Sequence, residues 1–107
     1  MKPVTFLGDS LDAIRAFPQG ARREAGFQID KVQRGLAPDD WKRMTGVGPG
    51  AREIRVRDPA GAFRVIYLAA FVEAIYVLHA FQKKTAKTAR ADLALARVRL
   101  RELRRRP

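Results

Sequence analysis

A chain of 107 residues has room for one domain built on a single core, and this one is strongly basic, with 22 Lys and Arg against 11 Asp and Glu and a net charge of +11. No cysteine is present and His79 is the one histidine, which excludes disulfides, thiolate zinc sites and cysteine nucleophiles. The charge is uneven: residues 1–82 hold 12 basic and 9 acidic side chains, residues 83–107 hold 10 and 2, and a cationic end of that kind points to polyanions through counterion release and steering.

In chain order, Val4 to Leu7 is short and β-prone and reads as an edge strand. Asp9 or Ser10 is placed to cap a helix with Leu11 and Ile14 facing inward, and Phe17-Pro18 ends it. From Pro18 to about Leu36 the apolar residues Ala21, Ala25, Ile29, Val32 and Leu36 recur every three or four positions, one stripe of a second helix closed by Gly35 and Pro38. The two helices make a hairpin. Phe27 lies about 160° from the centre of that stripe, so it is expected at the surface or under a partner.

Pro38 to Gly50, with Trp41, Lys42, Arg43 and three glycines, reads as a loop. Arg52 to Arg57 then alternates Ile54 and Val56 with Arg55 and Arg57, the period of a half-buried strand, and Asp58-Pro59-Ala60-Gly61 is turn chemistry. Phe63 to Ala70 and Ala74 to Phe81 are β-branched and aromatic runs, so residues 52–81 predict a three-stranded antiparallel meander. A last helix from about Thr88 to Arg105 aligns Leu93, Ala96, Leu100 and Leu103, with its N-terminal half on the sheet and Arg104 to Arg106 free to fray. Val65 to Phe81 is the most apolar region, but Glu73 interrupts it and it is shorter than the ~20 residues of a membrane helix. The N-terminus lacks the pattern of a signal peptide, so a cytoplasmic location is expected.

By strand parity Arg64 shares a largely apolar face with Ile66 and Leu68, where a guanidinium must find an anion or lie at a rim. Two fates are open: a structural salt bridge to Glu53 or Glu73, or a clamp on a phosphate. Lys83, Lys84 and Lys87 follow the last strand and can converge with Arg64, or form an ordinary solvated charge run. Gln82, Thr85 and Thr88 supply donors suited to phosphate and sugar oxygens, Arg55 and Arg57 extend the basic surface, and Tyr67 and Phe81 either stack bases or belong to the core. Asp39, Asp40 and Asp58 lack His or carboxylate companions, so no metal or other cofactor is expected. RNA cleavage would then proceed by attack of its own 2′-hydroxyl, with Arg and Lys stabilising the phosphorane and His79 the acid–base candidate by its ordinary pKa. Parity groups His79 with Ile75, Val77 and Phe81, where a satisfied core histidine is the competing reading.

The runs Arg52-Glu53-Ile54-Arg55-Val56-Arg57-Asp58, Gly61 to Tyr67 and Ile75 to Thr88 resemble the phage-derived, HigB-like branch of the RelE/ParE toxin superfamily. Phe17-Pro18, Trp41-Lys42, Gly46-Val47-Gly48 and Asp92 to Arg97 extend the resemblance over nearly the whole chain. It implies an α+β fold, an N-terminal strand and helical hairpin packed on a twisted antiparallel sheet with a C-terminal helix. It also implies a cognate antitoxin, often with a helix-turn-helix domain, and a ribosome-dependent, metal-independent mRNA endonuclease in which Arg64, Lys83, Lys84 and Lys87 hold the message. ParE-like relatives instead inhibit DNA gyrase, and a non-catalytic RNA- or ribosome-binding module is the third reading.

Overall fold

The computed structural model describes residues 1–106. In chain order the elements are β1 (Val4–Phe6), α1 (Ser10–Arg15), α2 (Gln19–Gln33), β2 (Trp41–Arg43), β3 (Ala51–Asp58), β4 (Gly61–Leu68), β5 (Ile75–Lys83) and α3 (Arg90–Arg105). The strands form one sheet in the order β1-β5-β4-β3-β2. The expected meander is present as antiparallel β3, β4 and β5, while β1 adds a parallel edge to β5. Residues 41–43, expected in a loop, form a second edge strand antiparallel to β3, with Trp41 opposite Ile54 and the Arg52 guanidinium over the indole ring. Three residues bounded by Pro38 and a glycine-rich stretch carry too little alternation for their pairing to be read ahead of the partner strand.

Helices cover both faces of the sheet. On one, Ile14 of α1 and Ala21, Ala25, Ile29 and Val32 of α2 meet Ile54, Val56, Phe63, Val65, Tyr67 and Val77. Alanines at the closest approach let α2 lie near β3, and each fully buried Val or Ile below contributes roughly 1.5–3 kcal/mol. Leu36 does not join this stripe: α2 stops at Gln33, Gly35 turns the chain at φ +83°, and Leu36 is left exposed. Leu11 is half-buried. Phe27 is exposed as expected, with the Lys31 ammonium over its ring.

On the other face, Ala96, Leu100 and Leu103 of α3 pack on Met44, Val47, Ala51, Ile66, Leu68 and Leu78. Both halves of α3 are therefore docked. Arg104, expected to fray, donates to the Pro49 carbonyl at 2.6 Å, because the loop before β3 comes up beside the last turn.

A β-bulge sets the faces of β5. Ile66 pairs with His79 and Tyr67 with Val77, so Leu78 is the extra residue and the alternation resets there. Arg99 of α3 donates to the Leu78 carbonyl at 2.9 Å and to Asp9 at 2.7 Å, closing the bulge from above. Gly8, at φ +53°, lets that guanidinium sit against the backbone, since a Cβ there would lie 2.5 Å from its Cζ. Ile75 and Val77 consequently face α1 and α2, whereas His79 and Phe81 face the side of α3, which corrects the grouping of all four by simple parity.

Candidate nucleic-acid interface

Register pairing sorts the basic residues into three rows on the α3 side of the sheet. Lys42, Glu53, Ile66 and His79 form the first, Arg55, Arg64 and Phe81 the second, and Arg57, Ala62 and Lys83 the third. Apart from Lys42 at the sheet edge, exposure rises along that series. Glu53 is fully buried, Arg64 is 9% exposed and Arg57 lies at the surface, because α3 covers the Leu68 end of the strands and leaves the Gly61 end open.

Of the two fates left open by its sequence position, Arg64 takes the internal salt bridge. Its Nη1 donates to the Phe63 carbonyl at 3.1 Å and its Nε lies 3.4 Å from Glu53 Oε1, so the internal partner is Glu53 and not Glu73. Arg55 Nε approaches the same oxygen at 3.8 Å. One carboxylate thus stands between two guanidinium groups, and neither Glu53 oxygen nor either Nε makes a hydrogen bond of good geometry. The group keeps a net positive charge. The sequence left a carboxylate as one of two fates for Arg64 and did not show that it would be shared; the signal was there, since Glu53, Arg55 and Arg57 have the same parity.

Lys83 lies in the field of Arg64. Desolvation, then repulsion from Arg64, hold the Lys83 ammonium below its ordinary pKa of 10.5, only partly offset by attraction to Glu53. Desolvation likewise lowers the Arg64 guanidinium below its ordinary pKa, with Glu53 opposing.

The other candidates divide. Phe81, 9% exposed, pairs with Arg64 across β4 and β5 and stacks on His79 with ring centroids 5.2 Å apart. His79 Nε2 lies 2.7 Å from Asp92 Oδ1 of α3, and its Nδ1 is buried without a partner. The histidine therefore ties the sheet to α3, and its ring does not open onto the surface beside Lys83. Lys84, Thr85 and Lys87 are exposed in the segment before α3, and Thr88 is half-buried there. Gln82 faces the opposite side, opposite Phe63, with its amide on the Ala60 carbonyl at 3.3 Å. Tyr67 is 1% exposed on the α2 side and presents no ring to a base on this face.

Residues 12–101, from α1 through most of α3, match the phage-derived Gp49-like proteins (DUF891). The chain belongs to this family. It is a RelE-like toxin family associated with toxin–antitoxin systems, and membership implies an antitoxin partner. All three basic rows fall within the matched residues. No curated protein matches the sequence. Among the described residues no helix is long and apolar enough to cross a membrane.

Proposed function

We propose that this Gp49-like protein is the toxin of a type II toxin–antitoxin system, of the HigB-like branch, and that it inhibits translation as a ribosome-dependent, metal-independent mRNA endonuclease. The observation that carries the reading is that Arg64 and Lys83 lie in adjacent rows of one sheet face, with Arg55 and Arg57 on the same face and Glu53 against Arg64 and Arg55. Two guanidinium groups share one buried carboxylate, and Arg57 and Lys83 follow on the same face, a surplus of positive charge that a phosphate would offset. In this reading the 2′-hydroxyl of the message gives its proton to water as its oxygen bonds to the adjacent phosphorus, and the bond from phosphorus to the 5′-oxygen breaks. Arg64 and Arg55 stabilise the phosphorane, and Lys83, more acidic than an ordinary lysine, gives a proton to the leaving oxygen. Glu53 positions the two arginines. Lys84, Thr85 and Lys87 hold neighbouring phosphates from the exposed segment after β5, and the remaining basic surface meets ribosomal RNA.

The test uses purified protein, ribosomes and a defined message, with new 5′ ends mapped by primer extension. Wild type should cut, and Arg64→Ala should cut about 10²-fold more slowly, the loss expected on removing one oxyanion donor. Growth arrest by the wild type with no new 5′ ends would overturn the nuclease. A second reading, a non-catalytic RNA-binding toxin, is favoured by the Arg64 contact to Glu53 and by the burial of His79 against Asp92. It predicts ribosome co-sedimentation that falls steeply with salt, at every stage without cleavage.

A further inference from the structure

A second cationic site lies on the opposite face of the sheet, beyond the reach of Arg64. Arg43, Arg52 and Tyr67 are register partners across β2, β3 and β4, and they line a groove of about 660 Å³ that the end of α2 and the N-terminal segment complete. Lys2 and Arg34 also line it, and no acidic side chain does. The Lys2 ammonium bonds only to backbone carbonyls, of Ala69 and Phe71, which leaves its charge uncancelled. Arg34 pairs with Asp30, whereas Arg43 and Arg52 form no ion pair among the described residues. Two further features separate this groove from a plain charged surface. The Tyr67 hydroxyl is buried there beside Arg52 but without a hydrogen bond of good geometry, which is uncommon in a folded interior. At the rim Leu36 is 58% exposed, a large apolar side chain left outside by the early end of α2.

We propose that this groove binds an acidic peptide segment of the antitoxin, its carboxylates on Arg43, Arg52 and the Tyr67 hydroxyl and an apolar side chain on Leu36. The inference rests on the toxin reading for its partner and adds where that partner docks. Charge complementarity selects an acidic occupant, and the exposed Leu36 selects a peptide over a nucleic-acid backbone, which would gain nothing from an aliphatic rim. The groove and the Arg64 face lie on different sides of the sheet. A partner seated here therefore contacts the toxin without filling the basic rows.

The probe is a fluorescein-labelled twelve-residue peptide of alternating Leu and Glu, compared with a twelve-nucleotide RNA at physiological salt by fluorescence anisotropy. Leu36→Ser and Tyr67→Phe change no charge, and the second removes a hydroxyl that makes no hydrogen bond of good geometry, so both should fold. Each should raise the peptide Kd by about threefold or more, and Arg43→Glu by at least about tenfold, the scale of one lost charge-assisted contact. RNA binding should be unchanged by the two neutral substitutions. Peptide affinity unmoved by all three variants would overturn the proposal. An equal loss of RNA affinity in Leu36→Ser and Tyr67→Phe would overturn it too, by making the groove a nucleic-acid site. These readouts stay separate from the nuclease reading, whose failure would show in wild-type message cleavage.

Discussion

Replacing Glu53 by Gln tests whether the buried carboxylate holds the basic rows together. Glu53 Oε1 lies 3.4 Å from Arg64 Nε and 3.8 Å from Arg55 Nε. At an effective dielectric near 20 each contact is worth roughly 4–5 kcal/mol of gross attraction, most of which offsets the cost of taking the carboxylate out of water. Removing one partner of a well-formed buried pair costs about 3–5 kcal/mol. Here the oxygens lack good hydrogen bonds and the Arg55 side chain is one-third exposed, so the expected loss is smaller, about 2–3 kcal/mol. For a chain of this length that lowers Tm by roughly 10–20 °C. Trp41, the one tryptophan, lies on the strand paired with β3 and reports urea unfolding by fluorescence. The same substitution adds one net positive charge to the face, so RNA should bind more tightly while message cleavage slows, because Arg64 loses its positioning partner. A urea midpoint equal to or above that of wild type would refute the reasoning. So would unchanged cleavage with an unchanged midpoint.

Acid should weaken the anchor between α3 and the chain before α1. The Arg99 hydrogen bond and charge hold the Asp9 carboxyl below its ordinary 3.8, so the native state binds its proton less readily than the unfolded chain. The stabilisation is present above pH 3.8 and is lost as pH falls through the lower native value; Asp9→Asn should flatten this part of the stability profile, measured by urea midpoints between pH 5 and pH 2. Leu100, 3% exposed against the Met44–Val47 loop and Leu68, should cost about 2–5 kcal/mol as Leu100→Ala, with amide exchange rising first in α3 and residues 44–51. Equal exchange there in variant and wild type would show that α3 docks through other side chains.

Elements whose pattern repeats were legible before any coordinates. The stripe Ala21, Ala25, Ile29 and Val32 could only be a helix face, and the alternation of Ile54 and Val56 with Arg55 and Arg57 could only be a half-buried strand. Short elements were not legible. Residues 41–43 become a strand because β3 offers an unpaired edge, and nothing in three residues encodes that neighbour. Leu36 matched the periodicity of α2 yet fell outside it, since Gly35 in a left-handed conformation ends the helix whatever the spacing continues to suggest.

The sequence by itself determined the α+β class, the strand that carries Arg64, the cationic run after Phe81 and the excess of positive charge, because each of these is a property of near neighbours and of their sum. Tertiary structure alone decided which charges share a face. One extra residue at Leu78 reverses the sense of alternation along β5, bringing His79, Phe81 and Lys83 round to the Arg64 side, and only the hydrogen-bonded partner strand reveals that shift. The pairing that sets Glu53 between two arginines, and Tyr67 at the groove behind them, likewise follows from register between strands and not from the order of residues within one.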